Sequence, residues 1–151
     1  MNIGTVCRRD VVTVDAAEGL AQAARLMRLR HVGFLIVVEA NSSNSDLKVV
    51  GVLTDRDIVT VVVAKDADAR TLKVGDVMTR NPLLVIEAGS VEATVRQMRE
   101  VGVRRVPVVG ARNELVGVLS LDDVLESMAT LIADIAGAIR TEQRTERTSR
   151  T

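Results

Sequence analysis

The chain has almost no aromatic residues: among 151 residues there is one phenylalanine, and there is no tryptophan or tyrosine. This excludes a surface that binds single-stranded nucleic acid by stacking bases on aromatic rings. The formal net charge is zero and no block of basic residues is present, so the electrostatic footprint of a nucleic-acid-binding protein is missing as well. A single cysteine rules out an internal disulfide and fits a reducing compartment, so we expect a cytoplasmic protein.

Long apolar runs are also absent. No stretch reaches the roughly 20 residues that a membrane-spanning helix needs, and no signal-peptide pattern opens the chain. The sequence has no P-loop, Rossmann glycine pattern or nucleophile elbow, which argues against an enzyme. Hydrophobic residues still make up 47% of the chain, and they are aliphatic. They predict one compact domain, or two small units that share a core, with no membrane or nucleic-acid partner.

The chain contains the same unit of about sixty residues twice. Equivalent residues are 71 positions apart in the first part of the unit, as Met27 and Met98 are, and 66 apart after the polar run 41–46, as Gly51 and Gly117 are. Tandem units usually bury their apolar faces against each other. The surface between the two copies is therefore the natural place for a ligand.

Hydrophobic periodicity predicts the order β-α-β-β-α in each unit, and hence an α/β fold. The predicted strands are 11–14, 33–38 and 48–53 in the first unit and 83–86, 104–109 and 114–119 in the second. The predicted helices are 18–30, 54–64, 90–101 and one that starts at 121. We expect repeat 1 to span residues 1–64, a linker 65–73, repeat 2 residues 74–137, and a charged tail that frays 138–151.

Two heptapeptides carry a family resemblance. Residues 51–57 read Gly-Val-Leu-Thr-Asp-Arg-Asp and residues 117–123 read Gly-Val-Leu-Ser-Leu-Asp-Asp. Both resemble the signature of CBS domains (named after cystathionine β-synthase), Gly-x-x-Thr/Ser-x-x-Asp, which closes a long strand and opens the last helix. The resemblance covers about residues 3 to 137. It implies that two CBS repeats pack with pseudo-two-fold symmetry into one Bateman module with two clefts.

The first signature has the chemistry of a nucleotide site. Thr54 occupies a helix N-cap and Asp57 follows three residues later, so that the hydroxyl and the carboxylate project together and Asp57 can accept two hydrogen bonds from a ribose diol. Arg56 and the free N–H groups of the helix start suit a phosphate. The alternative is a purely structural capping box, in which Thr54 and Asp57 satisfy only the backbone.

An arginine pair, Arg104 and Arg105, enters a predicted buried strand, where cations are costly unless an anion lies nearby. The resemblance implies that both reach the phosphates of a nucleotide in the cleft built on Thr54 and Asp57. The alternative is a pair of side chains that extend along the module surface into water.

The second cleft is built on Ser120 and Asp123 and differs in charge. Gly33 and Phe34 stand where the other cleft has the arginine pair, and Asp122 replaces an arginine of the first signature. We therefore expect this cleft to be empty or to hold a less charged ligand. In the cleft built on Thr54 and Asp57, which we expect to bind a nucleotide more strongly, adenine should lie in an apolar slot. The residues expected to form it are Val12 and Thr13 on one strand and Phe34 and Leu35 on another.

These features predict a stand-alone regulatory module that binds AMP, ADP or ATP and acts on an unidentified effector protein. S-adenosylmethionine is a second candidate ligand, and a ligand-free module that only dimerises or docks is the alternative class. We expect a homodimer through the helices that end the repeats, which are rich in apolar residues. Cys7 and His31 have no metal-ligand spacing, so Cys7 is interpreted as a core residue and His31 as a helix C-cap.

Overall fold

Each repeat has the predicted β-α-β-β-α order. A computed structural model describes residues 1–40 and 46–149, so most of the predicted polar loop 41–46 lies outside the described residues. The first repeat consists of α1 (Ile3–Val6), β1 (Thr13–Asp15), α2 (Leu20–Arg30), β2 (Phe34–Ala40), β3 (Leu47–Thr54) and α3 (Asp55–Asp57). The chain continues α3 as a π-helical turn over Ile58–Val62 and a 3₁₀ turn over Val63–Lys65.

The second repeat has the same order of elements and one additional short strand after its first helix. Its elements are α4 (Val74–Val77), β4 (Thr79–Arg80), β5 (Val85–Ile86), α5 (Val91–Val101), β6 (Arg105–Val109), β7 (Leu115–Ser120) and α6 (Leu121–Ser149). Each repeat begins with a one-turn helix, α1 or α4, which the hydrophobic pattern does not predict. The N-cap of α5 is Ser90, as predicted, because its hydroxyl oxygen accepts a hydrogen bond from the N–H of Ala93.

The two repeats exchange their entry segments. In the first sheet β1 pairs parallel with β2, β2 antiparallel with β3, and β3 antiparallel with β4, although β4 belongs to the second repeat. The second sheet has the order β5-β6-β7, and Arg8 at the start of the first repeat forms a bridge to Val118 in β7. Each entry segment therefore lies on the sheet of the other repeat.

The signature glycines lie where these entry segments cross. A Cβ atom on Gly117 would stand 2.4 Å from the carbonyl oxygen of Arg8. A Cβ atom on Gly51 would stand 2.6 Å from the sulfur of Met78 and 2.8 Å from the carbonyl oxygen of Thr79. A side chain at either position would push the crossing backbone away, so both positions favour glycine because of close approach rather than backbone conformation.

Each repeat has its own aliphatic core, and a third cluster joins the two. Met27 and Met98 lie in the cores of the first and second repeat, as the sequence predicts. Cys7 is half-buried against the second core, and this burial raises the pKa of its thiol. Between the repeats, buried residues of both sheets pack together, among them Ile36 and Val109. The shared cluster fixes the position of the clefts between the repeats.

The last helix is longer than the sequence predicts. α6 continues to Ser149, so residues 138–149 are helical instead of forming a frayed tail. The reason is local: no glycine or proline follows Ile139, and residues 140–149 are mostly arginine, glutamate, glutamine and threonine. No helix within the described part of the chain is both long and apolar enough to span a membrane.

Candidate functional site

A cavity of about 490 Å³ opens between the repeats beside the second signature, and its size is typical of small-molecule sites. We name it the Ser120 cleft. Its lining residues are Arg8, Asp10, Val11, Val12, Arg30, His31, Val32, Gly33, Phe34 and Ile36 from the first repeat, and Arg105, Val118, Ser120, Asp122 and Asp123 from the second.

One wall of the Ser120 cleft is apolar. Val11 and Val12 lead into β1, Phe34 and Ile36 lie on β2, and Val118 lies on β7. Phe34 is the only aromatic residue of the chain and is half-buried here. A flat apolar group, such as a nucleobase, would find its contacts on this wall.

The Ser120 cleft also holds a hydroxyl and a carboxylate, which lie at the start of α6. The Ser120 hydroxyl oxygen accepts a hydrogen bond from the N–H of Asp123 over 3.1 Å and donates to the Asp123 carboxylate. The other carboxylate oxygen accepts a hydrogen bond from Nε of Arg8, which raises the pKa of Arg8. Asp123 is only 8% exposed. Both of its oxygens therefore already have a donor.

Three arginines and three aspartates line the Ser120 cleft. Arg30 lies 3.8 Å from Asp10, and Arg105 lies 3.8 Å from Asp122. Exposed ion pairs of this length contribute little to stability. A phosphate could therefore compete with the aspartates for Arg30 and Arg105 at small cost.

The arginine pair does not lie where the sequence predicts. Arg105 lines the Ser120 cleft because β6 and β7 are adjacent and Arg105 pairs in register with Ser120. Arg104 lies outside this lining and contacts the Asp122 carboxylate over 3.2 Å. The side chains of both arginines thus meet the second signature, whereas the prediction assigned them to the cleft of Thr54 and Asp57.

The prediction placed the adenine slot in the cleft of Thr54 and Asp57, but two of its four residues line the Ser120 cleft instead. Val12 and Phe34 line the Ser120 cleft, whereas Leu35 is fully buried in the core of the first repeat. Successive residues of a strand point to opposite faces, so Phe34 and Leu35 cannot face the same cavity. Thr13 is half-buried and does not line this cleft.

In the first signature, Thr54 and Asp57 form the capping box that the sequence offers as the alternative to a nucleotide site. The Thr54 hydroxyl accepts a hydrogen bond from the N–H of Asp57 over 3.1 Å, and the Asp57 carboxylate accepts one from the N–H of Thr54 over 2.9 Å. These two bonds make a complete capping box. Arg56 is exposed on the first turn. A ligand role for these three residues stays a prediction.

Four charged residues of the Ser120 cleft were not predicted as site residues: Arg8, Asp10, Arg30 and Asp122. Arg8 and Asp10 reach the second signature only through the exchange of entry segments, for which the sequence carries no local signal. Arg30 ends α2, and the next residue, His31, caps this helix in the left-handed conformation with φ 53°, which confirms its predicted cap role. Among the described residues, no three or more His, Cys, Asp or Glu side chains are arranged so that they could hold a metal ion.

Two repeats joined by exchanged entry segments, with a cleft at the start of a repeat-terminal helix, have the arrangement of a paired CBS module. The CBS-domain family model matches residues 3–64 and 74–130. The chain belongs to the CBS-domain family.

Several known proteins are similar to this chain. An uncharacterized protein of Methanopyrus kandleri is 30% identical over 89% of the chain, which spans 66% of that protein. Inosine-5'-monophosphate dehydrogenase of Methanocaldococcus jannaschii is 32% identical over 78% of the chain, which spans only 22% of that enzyme. Hypoxic response protein 1 of Mycobacterium tuberculosis is 33% identical, with 82% of the chain and 78% of that protein covered.

A solved structure extends the last of these similarities. The crystal structure of Hypoxic Response Protein I with two coordinated zinc ions has a TM-score of 0.71 and 28% identity to this chain. The match covers 83% of this chain and 98% of the chain in that structure. This chain therefore aligns with most of Hypoxic response protein 1 and with a small part of the dehydrogenase.

Proposed function

We propose that the chain senses an adenosine phosphate, AMP, ADP or ATP, which binds in the Ser120 cleft. The observation that carries this proposal is one cavity that combines an apolar wall, a hydroxyl–carboxylate pair and three arginines. Phe34 and the valines contact the adenine, Ser120 and Asp123 hold the ribose hydroxyls, and Arg30 and Arg105 face the phosphate.

Binding requires a change at Asp123, because Arg8 already occupies one of its oxygens. The side chain of Arg8 is 65% exposed, so water can solvate the guanidinium once it leaves Asp123. The ribose hydroxyls then donate to the carboxylate in place of Arg8. The released guanidinium can turn toward the phosphate, for which its planar fork is well suited.

We propose Thr54, Arg56 and Asp57 as a second, weaker site. The capping box keeps one oxygen of Asp57 on the backbone, and Arg56 supplies a cation. This reverses the order of the clefts that the sequence predicts, because Arg105 lies with Ser120. The predicted effector protein and the cytoplasmic location stay predictions.

Three other functions compete with this proposal. A ligand-free docking module is favoured by the ion pairs, since each arginine of the Ser120 cleft already has an aspartate partner. S-adenosylmethionine is disfavoured because its sulfonium is cationic and would lie near Arg30 and Arg105. A zinc site like that of Hypoxic Response Protein I has less support, because the chain as described offers no cluster of three ligands.

A thermal shift separates ligand binding from docking alone. A ligand at 100 times its Kd stabilises the folded state by about 2.7 kcal/mol, and about 1 kcal/mol shifts the Tm of a domain of this size by roughly 2–4 °C. We therefore expect millimolar AMP or ATP to raise the Tm by several degrees and S-adenosylmethionine to raise it less. An unchanged Tm with all three ligands would favour the docking module.

Replacing Arg105 with alanine should weaken AMP and ATP about tenfold and leave adenosine within about twofold, because only the phosphates contact this guanidinium. One lost charge-assisted hydrogen bond of about 1.5 kcal/mol accounts for this factor. Calorimetric titration of the three ligands measures it. Arg104→Ala is the matched control, since Arg104 has the same charge and the same aspartate neighbour but does not line the cleft. Equal losses in both variants would show a general electrostatic effect instead of a phosphate contact.

A further inference from the structure

A second cavity adjoins the Ser120 cleft at the end of α2. Its volume is about 450 Å³, and we name it the Arg28 groove. The residues that line it are Arg25, Arg28, Leu29 and His31. His31 also lines the Ser120 cleft, so the two cavities meet at this residue. A ligand in the cleft can therefore extend past His31 into the groove.

The Arg28 groove is cationic, and none of its lining residues is acidic. Arg25 and Arg28 are exposed and lie three residues apart, which places them on one face of α2. Within residues 1–40 and 46–149 neither of the two guanidinium groups forms an ion pair. The arginines of the Ser120 cleft differ, because each of them faces an aspartate. An anion in the groove would therefore meet two arginines without displacing an ion pair.

The helix dipole explains only part of this charge. Basic residues in the last turn offset the negative end of a helix, and Arg28 and Arg30 lie in the last turn of α2. The dipole amounts to about half an elementary charge at each end. Arg25 and Arg28 together carry more charge than this, so the groove keeps a positive potential that attracts an anion.

The Arg28 groove begins next to the proposed phosphate contact of the Ser120 cleft. Arg30 faces the phosphate in the proposed complex, and His31 follows it directly in the chain. The N–H of His31 donates a hydrogen bond to the carbonyl oxygen of Met27, which fixes His31 at the end of the helix. A single phosphate meets the arginines of the cleft, whereas a second and a third phosphate must lie beyond them. The Arg28 groove supplies the next cations along this path.

We propose that the Arg28 groove binds the terminal phosphates of ATP while the adenosine lies in the Ser120 cleft. Arg28 and His31 contact these phosphates, and Arg25 adds its charge one turn away. A guanidinium group can donate two parallel hydrogen bonds to a phosphate, which suits arginine to this contact. The proposal rests on the proposed adenosine site and adds to it a preference for the triphosphate over the monophosphate.

Titration calorimetry of AMP, ADP and ATP without divalent cations tests the groove. We expect the parent protein to bind ATP at least about tenfold more tightly than AMP, because one charge-assisted hydrogen bond corresponds to about a factor of ten. Arg25→Ala/Arg28→Ala should lower the affinity for ATP about tenfold or more and leave that for AMP within about twofold. Both side chains are exposed, so the variant should fold, and circular dichroism checks this.

The second repeat offers a matched control. Arg96 and Arg99 are equivalent to Arg25 and Arg28, 71 positions further along the chain, and they are also exposed. Neither of them lines the Ser120 cleft or the Arg28 groove. Arg96→Ala/Arg99→Ala removes the same charge from the protein and should leave the affinity for ATP within about twofold.

Three results would overturn the proposal, and they differ in what they leave standing. If the parent protein binds AMP and ATP equally, the groove is not a phosphate site, but the adenosine site remains. Equal losses of ATP affinity in the two double variants would show a general effect of net charge instead of a contact. If neither AMP nor ATP binds, the groove fails together with the proposed nucleotide function.

Discussion

Asp123→Asn should lower the affinity for AMP at least about a hundredfold, whereas Asp57→Asn should change it less than about threefold. A hydrogen bond to a charged acceptor contributes about 1.5–3 kcal/mol, and a ribose diol makes two of them. Two bonds of this strength correspond to a factor of about 100 or more, since 1.4 kcal/mol is tenfold. Asp123 faces the apolar wall and the arginines of one cavity, whereas Asp57 is held in a capping box.

Titration calorimetry of both variants measures the two affinities. Asp57 is the matched control, because it occupies the equivalent position of the other repeat and also follows a capping hydroxyl. We expect Asp123→Asn to stay folded, because Ser120 still caps α6 and water can solvate the exposed Arg8 side chain. The free energy of unfolding should fall by about 1 kcal/mol. The opposite ranking of the two variants would restore the cleft order that the sequence predicts.

The repeat and its elements could be predicted from the sequence because their signals are local. Alternation and helical periodicity are properties of ten or so consecutive residues, and the predicted order β-α-β-β-α is confirmed in both repeats. Ser90 as an N-cap, His31 as a C-cap, and Met27 and Met98 as core residues are confirmed for the same reason. Each depends on its own helix and little else.

The composition of the clefts could not be predicted in the same way. Which cleft receives Arg105 depends on the pairing of β6 with β7, and the presence of Arg8 depends on a bridge to a strand of the other repeat. The sequence places Arg8 and Asp123 115 positions apart, with no pattern that connects them. Leu35 is a different case, because strand alternation already places it opposite Phe34, on the core side of β2.

The same exchange of entry segments explains the glycine of the signature, and a single methyl group tests it. Gly117→Ala should destabilise the protein by about 2–6 kcal/mol. The new Cβ atom would lie 2.4 Å from the carbonyl oxygen of Arg8, closer than real Cβ contacts permit. Arg8 and Val118 also exchange two backbone hydrogen bonds of 2.9 Å, which the displaced segment would lose. Overpacking costs about 1–3 kcal/mol and each lost bond about 0.5–1.5 kcal/mol.

Denaturant unfolding compares Gly117→Ala with Gly137→Ala, a control in which the same change should have the opposite sign. Gly137 lies inside α6 with its nearest neighbouring atom 3.9 Å from the new Cβ, so alanine should stabilise the helix by about 0.5–1 kcal/mol. Since Arg8 reaches Asp123 from the crossing segment, Gly117→Ala should also disturb the Ser120 cleft and lower AMP affinity, whereas Gly137→Ala should leave it unchanged. A Gly117→Ala variant as stable as the parent would mean that the backbone at Arg8 can move away at little cost in free energy. Close approach of the entry segment would then not explain the glycine at this position.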